Sequence, residues 1–219
     1  MLPNIAYEKF IVKINKNAQT DNISCDKGRF VYLYNENQNK EIEYILEKKG
    51  DDLRYIEKLL VSNKRLKSSD FNINSQLFKL PVDFFDHSTV FGEATCKDCD
   101  TPQKIDLFEI LSDNENFILD DHNNKPSFNW REAPYYLSQN SIKVFKDDFM
   151  FTQLLLTYYR YPTQIGLKNP ENPEGEFSNM EIELDDKIVD RILSLASADF
   201  ELNNNDPKYQ ADTLRAKQK

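Results

Sequence analysis

Apolar positions in the first seventy residues recur at helical spacing. Tyr7, Phe10, Ile11 and Ile14 fall at i, i+3, i+4 and i+7, and Pro3 suits the first turn of such a helix. The stretch DKGRFVYLYNENQNKEIEYILEKKG predicts a second helix. Asp26 is its N-cap, Lys48 and Lys49 suit its negative C-terminal end, and Gly50 suits the residue just beyond it. Phe30, Leu33, Tyr34, Ile42, Ile45 and Leu46 form the apolar face of this helix, interrupted by Asn35, Asn37, Gln38 and Asn39. DDLRYIEKLL predicts a third helix, capped by Asp51 or Asp52, that buries Leu53, Ile56 and Leu60. Short connections between the three predict a small antiparallel bundle over residues 1–68.

From about Ser69 the period changes. QLFKLP, HSTVFGEAT, IDLFEIL, ENFILDD, SFNWREAPYYL, SIKVFK and FMFTQLLLTYYRYP are short runs rich in β-branched and aromatic residues. Asp147-Asp148 reads as the tight turn of a hairpin between the last two, and Pro162 ends the last strand. Turn signals every eight to twelve residues predict an antiparallel β-sandwich over 69–184. Residues 166–180 read as an exposed polar loop. LDDKIVDRILSLASADF then predicts a helix that starts at Asp185 and Asp186 and has its apolar face at Ile188, Val189, Ile192, Leu193, Leu195 and Phe200. The tail from Asn203 is polar and reads as an extended arm. The fold class is therefore α+β: an N-terminal helical bundle, a central antiparallel β-sandwich, and a C-terminal helix plus extended tail over 185–219.

Composition changes this picture in three places. Fifteen Phe and 11 Tyr in 219 residues make aromatic burial a large share of the packing, and 5 Gly leave little room for glycine-rich phosphate loops. The net charge of −9 is uneven: residues 71–184 carry 9 basic against 19 acidic side chains, whereas 1–70 carry 13 against 11. Such an acidic middle is a poor phosphate-backbone binder. Apolar runs stay far below the ~20 residues that span a bilayer, so no membrane partner is expected. The N-terminus lacks a signal-peptide pattern, and three cysteines suit a reducing compartment better than a disulfide scaffold.

Candidate chemistry is sparse. Cys96 and Cys99, in ATCKDCDTP, have the spacing of two zinc ligands or a redox pair. A structural zinc needs two further ligands, and only Cys25, His87 and His122 remain, with no second paired cluster. The stretch therefore reads first as a connection between two strands, and no cofactor is expected. Asp120, Asp121 and His122 sit in a polar loop. Neither a GxSxG elbow, a Walker A loop nor an HExxH helix is present. In YYRYP, strand alternation sets Tyr159 and Tyr161 on one face and Tyr158 and Arg160 on the other, residue types favoured at interfaces. Tyr158 and Arg160, with Tyr34, Asn37 and Gln38 of the second helix, are the candidate interface residues.

The order of the segments carries a resemblance. LPVD at 80–83, PSFNWREAP at 126–134, YYRYPTQI at 158–165 and IELDDKIVDRILSLA at 182–196 follow one another as in virion structural proteins of crAss-like tailed phages of the Bacteroidetes. These are the neck or ring proteins beneath the portal. The resemblance implies a non-enzymatic subunit of a twelve-fold ring in the virion neck, made in the host cytoplasm. Its partners would be further copies of itself, the portal, the adjoining neck and tail rings, and genomic DNA passing without specific binding. Two other classes stay open on the residues alone: a β-sandwich carbohydrate-binding module that uses the YYRYP aromatics, and a small zinc-stabilised protein that uses Cys96 and Cys99.

Overall fold

The computed structural model of the chain describes residues 1–17, 23–96, 101–118, 121, 124–178 and 180–203. In chain order the elements are α1 (Pro3–Asn17), α2 (Lys27–Lys48), β1 (Leu60–Leu66), β2 (Ser68–Phe71), β3 (Ser75–Lys79), β4 (Phe84–Cys96), β5 (Gln103–Glu109), α3 (Glu115–Ile118), β6 (Glu132–Ser138), β7 (Ser141–Phe145), β8 (Phe149–Arg160) and α4 (Asp186–Asn203). The chain divides into two compact units, one of Met1–Leu59 with Pro162–Lys219 and one of Leu60–Tyr161. The β unit is thus inserted into the helical one, instead of following a bundle complete at residue 68.

In the helical unit, α1 and α2 both pack against α4. Phe10 and Ile14 of α1 are fully buried, as the spacing predicts, with Ala6 beside them, whereas Tyr7 and Ile11 of the same stripe are half-buried. The cap of α2 is also as expected: Asp26 accepts the backbone N–H of Arg29 at 2.7 Å. At its other end the left-handed residue is Lys49, at φ 47°, one position ahead of Gly50. From α4 the core receives Ile188, Val189, Ile192, Leu193, Ala196 and Phe200, whereas Leu195 is exposed. Phe10, Phe30, Phe177 and Phe200 meet as an aromatic cluster at centroid distances of 5.1 to 6.0 Å. Phe177 pins down a polar loop that composition alone predicts to be exposed throughout.

The expected third helix does not form. Asp51–Tyr55 and Glu57–Leu59 are short 3-10 turns, and the chain then enters β1. Leu53, Ile56 and Leu59 recur every three residues, the period of a 3-10 helix rather than 3.6. Ile56 and Leu59 are buried, while Leu60 is half-buried as the first residue of the strand.

The β unit is one sheet of eight strands in the order β1-β8-β4-β5-β6-β7-β3-β2, not the two facing sheets of a sandwich. Its two edge strands are consecutive in sequence and separated only by Lys67. Leu66 pairs with Leu154 on β8, and Ser68 pairs with Phe78 on β3. Two residues span at most about 7 Å, so opposite edges of the sheet must come together there and the sheet must curl. The curl is joined a second time by Gln76 of β3. Its amide donates to the Phe151 carbonyl at 3.0 Å, and its carbonyl accepts the Phe151 N–H at 2.7 Å.

Curling gives the sheet an inside. Phe78, Val90, Ala94, Ile105, Ala133, Ile142, Val144, Phe149, Phe151, Leu154 and Leu156 fill it. Gly92 lies on this inner face, where an added Cβ would come within 2.4 Å of the Phe151 ring. The absence of a side chain at Gly92 therefore leaves room for the Phe151 ring of the neighbouring strand. The pairing is antiparallel except for β5 with β6, which run parallel and need the crossover 110–131. Within that crossover ENFILDD holds the short helix α3 rather than a strand, and residues 127–131 turn before β6 begins. Asp147-Asp148 does not close a hairpin, because β7 pairs with β6 and β3 whereas β8 pairs with β1 and β4. ATCKDCDTP does link a hairpin, between β4 and β5.

Two substitutions test the curl. Gly92→Ala is expected to lower stability by about 1–3 kcal/mol through overpacking against Phe151. Gln76→Leu leaves the Phe151 N–H and C=O without partners, at roughly 1–3 kcal/mol each. Thermal unfolding followed by near-ultraviolet circular dichroism measures both, and an unchanged Tm for Gln76→Leu would show that the bridge does not hold the sheet.

Candidate functional site

A polar cluster of the β unit lies at the end of the sheet where β5 and β8 finish and β4 begins. His87 on β4 brings its Nε2 to 3.0 Å from the Tyr135 hydroxyl of β6 and 3.6 Å from a Glu109 carboxylate oxygen of β5. Its Nδ1 is 3.6 Å from Asp86 and makes no hydrogen bond. Asp86 instead accepts the His87 backbone N–H at 2.8 Å. Tyr158 of β8, the register partner of His87, donates its hydroxyl to Asp83 at 2.9 Å with the Phe84 ring stacked beside it.

The electrostatics follow from burial. Tyr135 is only 4% exposed, and burial, then the charges of Glu109 and Asp86, raise its phenol well above the ordinary tyrosine range. Burial, together with the hydrogen bond to Asp83 and the charge of that carboxylate, pushes the Tyr158 phenol up to about 12. Both phenols are therefore neutral: that of Tyr158 donates to the Asp83 carboxylate, and the direction of the Tyr135–His87 bond follows the tautomer of the imidazole. The cluster contains no nucleophile, so it lacks the parts of an acyl- or phosphoryl-transfer centre.

A second cluster belongs to the helical unit. Arg191 of α4 reaches Glu41 of α2 at 2.5 Å and Asp52 at 2.6 Å. The contact with Glu41 is a charge pair without hydrogen-bond alignment. Burial raises the Glu41 carboxyl against the opposing pull of Arg191, whereas the Arg191 hydrogen bond lowers that of Asp52. Tyr55 accepts from Arg54 at 2.8 Å and Lys187 at 3.3 Å. This network ties α4 to α2 and to the 3-10 turn, a packing role.

The residues singled out from sequence are dispersed. Tyr34, Asn37 and Gln38 are 0 to 2% exposed inside the helical unit, so they present no surface to a partner. Asn37 donates to the Leu33 carbonyl and to Asp199 at 2.9 Å each. Tyr158 is likewise buried, because its strand turns that face into the curl. Arg160 is half-buried at the end of β8 and donates to the Tyr161 carbonyl at 3.2 Å. Cys96 ends β4 and is disulfide-bonded, so it offers no free thiolate to a metal. Cys99, Asp120 and His122 lie outside the described residues. Cys25 is free and buried, its thiol pushed up to about 11 chiefly by burial, which makes it inert. Among the described residues no group of three or more His, Cys, Asp or Glu is placed to hold a metal ion.

Sequence reasoning missed Gln76, Asp83, Glu109 and Tyr135. Gln76 did carry a signal, since it stands two residues before Phe78 on the same strand face, a polar residue at an inward position. No protein-family model matches the chain, and no curated protein matches its sequence. No helix among the described residues is long and apolar enough to cross a membrane.

The Tyr158 phenol sets an alkaline limit. The folded chain keeps it protonated up to about 12, whereas the unfolded chain ionises near 10. Its contribution is therefore complete below about pH 10 and is lost as pH rises toward 12. Tyr158→Phe is expected to cost about 1 kcal/mol at pH 8 for the lost bond to Asp83, and to make the decline above pH 10 shallower. Urea midpoints measured from pH 8 to 12 show this; parallel curves for the two proteins would discharge Tyr158 from the role.

Proposed function

We propose that the chain is a non-enzymatic structural subunit that assembles head to tail into a ring in the neck of a tailed bacteriophage. The observation that carries this reading is the pair of apolar tips on the β unit. Phe71, Ile73 and Trp130, at one end of the sheet, are 57%, 88% and 82% exposed. Val82 and Leu111, at the other end, are fully and 75% exposed. Large apolar side chains this exposed on turns and strand ends gain nothing for the isolated chain, and grouped at the ends of a sheet they suit contact surfaces. A cyclic ring joins neighbours through two different patches, one on each side of the subunit, which is the arrangement that two separate tips supply.

The order of the segments points to the neck of a crAss-like phage, with twelve copies beneath the portal, and the acidic middle of the chain suits a wall past which DNA slides. The subunit would then act in the virion after assembly in the host cytoplasm, with portal and adjoining neck or tail rings as its neighbours. A second reading, a carbohydrate-binding module, draws on the exposed Trp130 indole, which is free to stack on a sugar. Tyr158, which that reading also used, is buried.

Negative-stain imaging and mass photometry of the full chain, alone and with its portal, test the proposal. Closed rings are expected, and Ile73→Asp with Trp130→Ala should return them to monomers whose circular dichroism is unchanged. A protein that remains monomeric at tens of micromolar in both preparations, and binds a glycan through Trp130, would overturn it.

A further inference from the structure

In the helical unit the Tyr55 oxygen is met by two cations. Arg54 donates to it at 2.8 Å and Lys187 of α4 at 3.3 Å. The same two groups lie over the ring, at 4.8 and 4.5 Å from its centroid. A donor on the oxygen and a positive charge against the ring face both favour phenolate over phenol. The bond from Lys187, then that from Arg54, accordingly holds Tyr55 below the ordinary tyrosine range. The competing acceptor for the lysine is engaged elsewhere: Asp52 binds Arg191 at 2.6 Å and stands 3.9 Å from Lys187, so the phenol oxygen is the nearer of the two. The ring is half-buried, but Arg54 is exposed and the Lys187 side chain is 56% exposed, so the hydroxyl lies where a reagent in solution reaches it. Tyr32 and Tyr44 are more exposed, and Lys48 lies over the Tyr44 ring at 4.4 Å. Among the described residues, however, no cation donates a hydrogen bond to either of those oxygens.

A weak nucleophile becomes a useful one when neighbouring cations stabilise its ionised form. We propose that Tyr55 is a modification site, whose phenol oxygen takes an acyl group from an activated donor such as a thioester or an acyl phosphate. The oxygen attacks the acyl carbon, the bond from that carbon to the leaving group breaks, and the phenol proton departs with the leaving group. An aryl ester then stands where the hydroxyl was. An ester oxygen is a poor acceptor for two cations, so acylation frees Arg54 and Lys187 and loosens the tie between α4 and the 3-10 turn at Asp51–Tyr55. The site depends on no assumption about rings or phages.

Limiting N-acetylimidazole, added to the folded full chain, tests the site. Peptide mass spectrometry locates each acetyl group. Hydroxylamine cleaves aryl esters and spares lysine amides, which separates Tyr55 from the lysines around it. Tyr55 is expected to be acetylated at least about threefold faster than Tyr32 or Tyr44. Arg54→Met with Lys187→Met should bring its rate down to theirs or below, with far-ultraviolet circular dichroism unchanged. If that double variant does not fold, the ranking of tyrosines in the wild-type chain decides alone. A Tyr55 that reacts no faster than Tyr32 and Tyr44, or a rate indifferent to the loss of both cations, would overturn the proposal.

Discussion

The curled sheet depends on how its edges are joined. Gln76 acts as a strand one residue long: its amide supplies the donor and acceptor that the Phe151 peptide would otherwise find on a neighbouring strand. Lys67 joins the same two edges through the covalent chain, because Leu66 and Ser68 belong to strands at opposite ends of the order. A free edge would offer unpaired N–H and C=O groups to other chains, the hazard that sheet proteins must blunt. Here the edge groups are drawn toward each other, and the enclosed space fixes what can fill it. Gly92 is small because Phe151 must lie over it, and Val90, Ala94, Leu154 and Leu156 follow from the same inner face.

The two interior glutamines show how a buried amide can be used. Gln76 has both ends bonded to the backbone of one residue, Phe151, so its burial is compensated. Gln38 is held at one end, where its amide faces the Thr163 carbonyl at 3.5 Å. The His87 cluster uses a third solution, in which phenols rather than amides pair with the Asp83 carboxylate and the histidine. In each case a polar group inside the protein is oriented by a partner from a distant part of the sequence, so its role is set by tertiary pairing.

That is also why some features were legible and others were not. Local signals held: the Asp26 cap, the apolar stripes of α1 and α4, and the strands at 75–79, 84–96, 103–109, 141–145 and 149–160. Those patterns need only neighbours along the chain. Strands β1 and β2 escaped because edge positions such as Ser62, Asn63, Lys64 and Arg65 face solvent and show no alternation. The short helix in ENFILDD was hidden by β-type residues, and the parallel pairing of β5 with β6 leaves no mark on either strand. The His87 cluster draws on four strands, and only their register brings Glu109 and Tyr135 to the imidazole. Asn37 and Gln38 read as interruptions of the apolar face, and with Tyr34 as interface candidates, because periodicity cannot distinguish polar residues that meet solvent or a partner from buried ones with bonds inside the unit.

The insertion has a consequence for how the molecule is made. Residues 60–161 are contiguous and contain every strand of the sheet, so they can close while the remainder of the chain is still on the ribosome. The helical unit cannot do this, because α4 is synthesised last and α1 and α2 lack their packing partner until it emerges. The first sixty residues are thus translated early but completed late, and their apolar faces wait through the synthesis of about a hundred residues. The helical unit therefore needs its last helix before it can be completed, and a chain truncated before Asp186 would leave α1 and α2 without the helix they pack against.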